Sequence, residues 1–414
     1  MRFALFGTDM ESLELFNAAR SAGHELVWCG DVQKDGQEMD LSAEAQEHLW
    51  EDRSWPEDQA ESWEALCDPD FCEVVLMGKG TRPSAVCTEQ LAQLARQGIA
   101  VLTTFPLIDS VLSYYEIDMA RSEGGAVLHH YNPLLEQRII LEPIIAWVQK
   151  GHPQLGAVEQ IVWERPLERR TREQVLWHFA RDVELLGQVA GRLDRLGALG
   201  SPNVAATYSG LSVQLLGSSQ VPVHWSVGPK QQSEYPRLTL VCQQGRVTTE
   251  LSTAGQSTLA EIFSDGTTNS TSHPVNPAAT QVLERFVTAV QSGDSDSSTW
   301  SEALHAMELT DTIEISLRRG RMIDIHPQQL TEELAFKGTM SALGCGVLVV
   351  LVPLLLTAGW LAELLGFSVA EYWPHTLLVM LALFLLVQFV PKLLLDTNNA
   401  DSKRPESCDP NKSM

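Results

Sequence analysis

The chain has 414 residues, with 53 acidic against 29 basic side chains and a formal net charge of −24. That length allows two or three domains, each with a full core. The charge excludes nucleic acid, which needs a basic footprint, and electrostatic docking of the soluble part on anionic lipid. RFALFG (2–7) reads as a strand that starts at Arg2, which leaves no room for a signal peptide. A helix over 11–21 follows, with Leu13, Phe16 and Ala19 as its apolar stripe, then a strand ELVWCG (25–30). Much of the acidic excess lies in 35–73, a solvated helix and loop face. Beyond the turn DPD come a strand CEVVLMG (72–78), a helix over 88–97, a strand IAVLTT (99–104), a helix over 110–122 and a strand AVLHHY (126–131). Short apolar strands separated by helices predict a parallel, doubly wound α/β domain over 1–130.

From about Asn132 the pattern changes. Helices are predicted at 133–150 and 172–191. The strands AVEQIVWE, VAATYSGLSVQLLG, VPVHWSVG and RLTLVC follow, and QQGR turns the last of them into VTTEL. Successive strands joined by tight turns predict an α+β domain over 131–326 with an open, largely antiparallel sheet. Two more helices, 277–291 and 301–320, flank the loop GDSDSSTW, and RGRMIDI closes as a strand.

After a linker (327–342), two uncharged runs of about twenty residues, 343–362 and 372–391, are each long enough to span a bilayer as a helix. Trp360, Tyr372 and Trp373 sit near their ends, where aromatic rings favour the interface. Arg318, Arg319, Arg321 and Lys337 precede the runs, Lys392, Lys403 and Arg404 follow them, and their connection has two acids and no Lys or Arg. The expectation is a two-helix transmembrane anchor with the body and the C-terminus cytoplasmic, ending in a disordered polar tail (392–414). The seven cysteines form no CxxC pair, and Cys67 and Cys72 have no nearby histidine to complete a zinc site. They read as reduced cytosolic thiols, with no metal.

Four stretches, in order, carry a resemblance. They are WEALCDPDFCEVVLMG before the third strand, LARQGIAVLTTFPL around the fourth, RDVELLGQVAG on a helix of the second domain, and TWSEALHAMELTDTIEISLRRGRMIDI near the end. From Arg2 to about Ile325 the chain resembles the Gfo/Idh/MocA family of NAD(P)-dependent sugar oxidoreductases. The resemblance implies a Rossmann domain, a substrate domain that often forms oligomers through its sheet, NAD or NADP as cofactor, and a sugar-like or polyol substrate. The apolar C-terminal part resembles membrane-attached members.

The family's cofactor turn needs three small residues, for the turn, for the pyrophosphate and for close helix packing. Their counterparts here are Gly7, Asp9 and Ser12. Asp9 puts an anion where the pyrophosphate would rest on the helix N-terminus. As an N-cap, with Glu11 offsetting the helix dipole, it instead satisfies that anion site from within. Asp31, at the end of the second strand, matches the acid that holds the ribose of NAD, and it equally suits a turn. The family's EKP tripeptide corresponds to Thr104, Phe105 and Pro106, so Phe105 stands where a proton-relaying lysine is implied. Its substrate-side histidine corresponds to Arg181, a poor base, and its aspartate to Glu184; the two also read as an ion pair on one helix. Asp182, one residue on, and His178, one turn earlier, are the alternative bases. His129 and His130 point to opposite faces of their strand, so at most one faces the cleft. Three functions follow: a membrane-anchored oxidoreductase, a catalytically inactive relative that binds a small molecule or a protein at the membrane, or a structural subunit whose partner contacts lie in the bilayer.

Overall fold

The computed structural model describes residues 1–31, 62–200, 207–230, 235–252, 255–275, 277–295 and 298–325. The first domain runs β1 (Arg2–Phe6), α1 (Met10–Ser21), β2 (Glu25–Gly30), a 3-10 turn (Trp63–Cys67), β3 (Val74–Met77), α2 (Ser84–Arg96), β4 (Ala100–Thr104), α3 (Val111–Gly124) and β5 (Leu128–Tyr131). Its strands pair in parallel in the order β2-β1-β3-β4-β5. The order reverses between β1 and β3, which makes that point the topological switch of a doubly wound sheet. Alternation decides which layer each side chain joins. Ala4, Phe6, Val75 and Met77 pack with Leu91 and Ile117 of α2 and α3. Phe3, Leu5, Val74 and Leu76 pack with Leu15 and Phe16 of α1.

A second 3-10 turn (Pro133–Glu136) and α4 (Arg138–Lys150) lead out of this domain, so the helix expected over 133–150 is two pieces. Then come β6 (Val158–Leu167), α5 (Arg172–Ala190), β7 (Leu193–Leu199), β8 (Ser212–Gly217), β9 (Val223–Pro229), β10 (Arg237–Cys242), β11 (Gly245–Glu250), β12 (Gln256–Phe263) and β13 (Thr268–Pro274). The chain closes with α6 (Ala278–Ser292), α7 (Trp300–Arg319) and β14 (Ile323–Asp324). The nine strands form one mixed sheet, β13-β12-β11-β10-β6-β9-β8-β7-β14, in which β6 and β9 are parallel and the other neighbours antiparallel. Its inner face (Ile161, Trp163, Val213, Trp225, Leu238) buries against Val175, Phe179 and Val183 of α5. The strand expected over 204–217 is shorter, and β7, β12 and β13 are additional.

All described residues lie in one compact unit, Met1–His326. No helix among them is long and apolar enough to cross a membrane. The linker, the two apolar runs and the tail fall outside the described residues.

Candidate functional site

The loops that follow β1 and β3 meet at the switch point. Gly7 turns at φ 80°, and a side chain there would collide with the Gly78 carbonyl and the Arg82 guanidinium. Asp9 then caps α1: its Oδ1 accepts the Ser12 amide (2.8 Å), and the Ser12 hydroxyl returns to the Asp9 amide (2.8 Å), a reciprocal capping box. The other carboxylate oxygen accepts the Lys79 amide (2.8 Å) and the Thr104 hydroxyl (2.7 Å). Burial, helped by the neighbouring Glu11 charge, raises the Asp9 pKa, while the two amides and the hydroxyl oppose the rise. Asp31 sits at φ 53° and accepts from the Thr81 amide (3.1 Å), the Thr81 hydroxyl and Arg82 Nε (2.8 Å). Arg82 also donates to Gln90 and to the Phe6 and Gly78 carbonyls, and lies 3.8 Å above the Phe6 ring.

These residues do not fit a dinucleotide. The amide at the N-terminus of α1 that would meet a phosphate is bonded to Asp9, whose second oxygen is bonded to Lys79 and Thr104. The acid matched to the ribose is bonded to Thr81 and Arg82. A diphosphate at this turn would have to displace a half-buried, hydrogen-bonded carboxylate. Phe105 carries no ionisable group. It is buried after a cis peptide to Pro106, with Tyr114 edge-on at 6.2 Å and the His130 ring at 5.0 Å.

Beside this turn a cavity of ≈ 770 Å³ opens between the two domains. Met10, Glu11 and Glu14 of α1 form one wall, and Trp177, His178 and Arg181 of α5 another. Tyr131, Arg165, Lys230, Tyr235 and the start of α6 complete it. The walls carry opposite charge. Arg181 Nη2 lies 2.8 Å from Glu11 Oε1, and its guanidinium stacks 4.3 Å over the Trp177 ring. Partial desolvation at the cleft wall raises the pKa of Glu14, which is otherwise exposed, and the Tyr131 hydroxyl donates to it at 3.0 Å. Burial, followed by the charges of Arg165 and Arg181, lowers the His178 pKa well below its ordinary value, so His178 faces the cavity neutral.

The four candidate catalytic residues share one helix and separate by its geometry. His178 and Arg181, three apart, share the cleft face. Asp182 was an alternative base, but its carboxylate turns into the sheet. It is fully buried and accepts Trp163 Nε1 (2.8 Å), Trp225 Nε1 (2.9 Å) and the fork of Arg165. Glu184 pairs with His130 rather than with Arg181, accepts Asn132 Nδ2 (2.9 Å), and lines a second cavity of ≈ 530 Å³. His129 packs on Phe286 and His130 on Phe105, opposite ways from one strand. Sequence reasoning did not single out Glu14, Arg82, Arg165 or Trp177, because their partners come from distant segments. Among the described residues no group of His, Cys, Asp and Glu is arranged to hold a metal.

No family model and no curated protein matches the sequence. Solved structures do match. Aldose-aldose oxidoreductase from Caulobacter crescentus, complexed with glycerol, superposes with a TM-score of 0.60 at 15% identity, over 78% of this chain and 99% of its own. KijD10, a 3-ketoreductase from Actinomadura kijaniata solved with NADP, gives 0.59 at 14%, over 76% and 97%. The WlbA dehydrogenase from Chromobacterium violaceum, solved with NADH and UDP-GlcNAcA, gives 0.56 at 16%, over 79% and 96%. At such identities the likeness is one of fold. The chain thus has the fold of these oxidoreductases, the fold that its sequence resemblance to the Gfo/Idh/MocA family implies.

Proposed function

We propose that the chain is a small-molecule-binding relative of the sugar oxidoreductases, one that takes a sugar-like or polyol ligand in the interdomain cleft and binds no dinucleotide at its first βα turn. One observation carries this reading: the Asp9 carboxylate, bonded to Ser12, Lys79 and Thr104, fills the anion seat. A second reading, NAD(P)-dependent oxidation or reduction of such a ligand, is favoured by the NADP and NADH held by the solved relatives. In that reading His178 is the neutral group in the cleft able to accept a proton. The two apolar runs, 343–362 and 372–391, attach the body to a bilayer in this proposal, with both ends cytoplasmic. The outer face of the nine-stranded sheet is the proposed surface for a second copy.

Thermal unfolding of the full-length protein with 1 mM NAD, NADH, NADP or NADPH separates the two readings. A cofactor of micromolar affinity would stabilise the fold by about 4 kcal/mol. No shift is expected from the native chain, and Asp9→Gly should gain one. A shift in the native chain would establish the oxidoreductase reading instead.

A further inference from the structure

We propose that Thr299, His130 and Glu184 form a hydrolytic triad, and that the second cavity, ≈ 530 Å³, takes small carboxylic esters. This goes beyond the cleft reading above and uses a different cavity. Thr299 is the nucleophile, His130 its base and Glu184 the positioning residue, and all three line the cavity. Their contacts run in the order that acyl transfer needs. The Thr299 hydroxyl lies 2.9 Å from His130 Nδ1, and His130 Nε2 meets the Glu184 carboxylate. With Glu184 as acceptor, the neutral ring keeps its proton on Nε2 and leaves Nδ1 to take the hydroxyl proton. Asn132 Nδ2 donates to the other Glu184 oxygen (2.9 Å) and to the Arg181 carbonyl (3.0 Å), which fixes the acid.

The placement of Thr299 supports this role. It stands at the N-cap of α7, yet its side chain does not cap that helix. The Ser298 hydroxyl takes the Trp300 amide instead (3.4 Å), and Thr299 turns its oxygen to His130, whose own amide donates to it at 3.1 Å. A half-buried hydroxyl is thus held against an imidazole at the positive end of a 20-residue helix, where negative charge on oxygen is favoured. Leu141, Ile145, Val282 and Ala289 line the cavity and suit a short acyl chain. In the reaction the hydroxyl proton passes to Nδ1 as the threonine oxygen bonds to the ester carbonyl carbon. The C–O bond to the alcohol then breaks, and Nδ1 gives the proton to the leaving oxygen. Water, deprotonated by the same nitrogen, cleaves the threonyl ester; the carboxylic acid leaves and the proton returns to Thr299.

The test is release of p-nitrophenol from p-nitrophenyl acetate and butyrate by the full-length protein and by Thr299→Ser, Thr299→Val and Glu184→Gln, with peptide mass mapping of the acid-quenched acetate reaction. Native and Thr299→Ser proteins are expected to release it, Thr299→Val to lose at least about tenfold, and an acetyl group to appear on the peptide that carries Thr299. His130 is a base only when neutral. Burial opposes its charge, but Glu184, then Glu302, outweigh burial; Glu136 is paired with Arg285, and Arg138 and Glu142 are exposed on α4. The rate should therefore climb with pH above about 6.5, and in Glu184→Gln the climb should move to lower pH, a shift that a purely structural role would not give. Release by Thr299→Val as fast as by the native chain, or acetylation of another residue alone, would overturn the triad. An unchanged pH profile in Glu184→Gln would overturn its positioning role. Release from neither ester by the native chain would overturn the hydrolytic assignment and leave the cleft reading untouched.

Discussion

His130 shows how a single side chain carries information that its place in the sequence hides. In the sequence it is one of two adjacent histidines on a strand; in the fold it is buried, with Nε2 against the Glu184 carboxylate and Nδ1 at 2.9 Å from the Thr299 hydroxyl. Burial alone would lower its pKa, but the Glu184 charge and hydrogen bond outweigh this, and the net shift is upward. A histidine whose folded pKa is raised contributes stability that is fully present below its unfolded pKa, about 6.5, and lost as pH rises through the folded value. Thermal stability should therefore decline from pH 6.5 upward, and His130→Gln should flatten that decline. A variant with the native pH profile would show that the pair does not titrate. Asp182 carries the same lesson without charge in view of the cleft. Its neighbours in sequence, Arg181 and Val183, give no sign that two indoles and a guanidinium from three different strand positions converge on it.

At the scale of elements, the two turns at the sheet's switch point divide into a part that was legible and a part that was not. The Asp9–Ser12 capping box is a contact three residues apart, so the residues themselves announce it. The Lys79 and Thr104 bonds reach across 70 and 95 residues, and only the assembled sheet supplies them. The parallel domain was readable because its strands are apolar on both faces and its helices separate them. The far edge of the second sheet was not: β13 (TNSTSHP) is polar and mostly exposed, so no hydrophobic period marks it. The loop after β3 locks the switch through Arg82, which is 9% exposed and joins Asp31, Gln90, Phe6 and Gly78. Arg82→Met keeps most of the volume and removes all of those donors. It leaves Asp31 without its cation and takes one donor each from the Phe6 and Gly78 carbonyls, and should destabilise the protein by about 3 kcal/mol. Urea denaturation measures this directly; a loss under about 1 kcal/mol would show that the closed seat contributes little to folding.

Across the whole molecule, the chain leaves the parallel sheet at Tyr131 and returns to it after β13, before β14 completes the second sheet. Ala279, Val282, Leu283 and Phe286 of α6 pack on Phe3, Leu5, Leu15 and Phe16 of the first domain. Trp300 of α7 stacks on Tyr114 of α3 at 4.7 Å and donates its indole N–H to the Tyr114 carbonyl (3.1 Å). The same α7 helix carries Ile313 and Leu309 into the core that holds the second sheet and α5. A cluster of buried side chains shared by both sheets leaves no weak seam at the 130/131 division read from sequence, because that division follows chain order and the packing does not. Folding should therefore be cooperative across both sheets. Hydrogen exchange on the full-length protein tests this: amides of β3 and β4 should open with the same free energy as those of β6 and β9. Trp300→Ala empties part of the shared core, at a cost of about 3–5 kcal/mol, and should speed exchange in all four strands together. If it speeds exchange in the parallel sheet alone, the two sheets unfold separately, and the cleft between them is a hinge rather than a fixed wall.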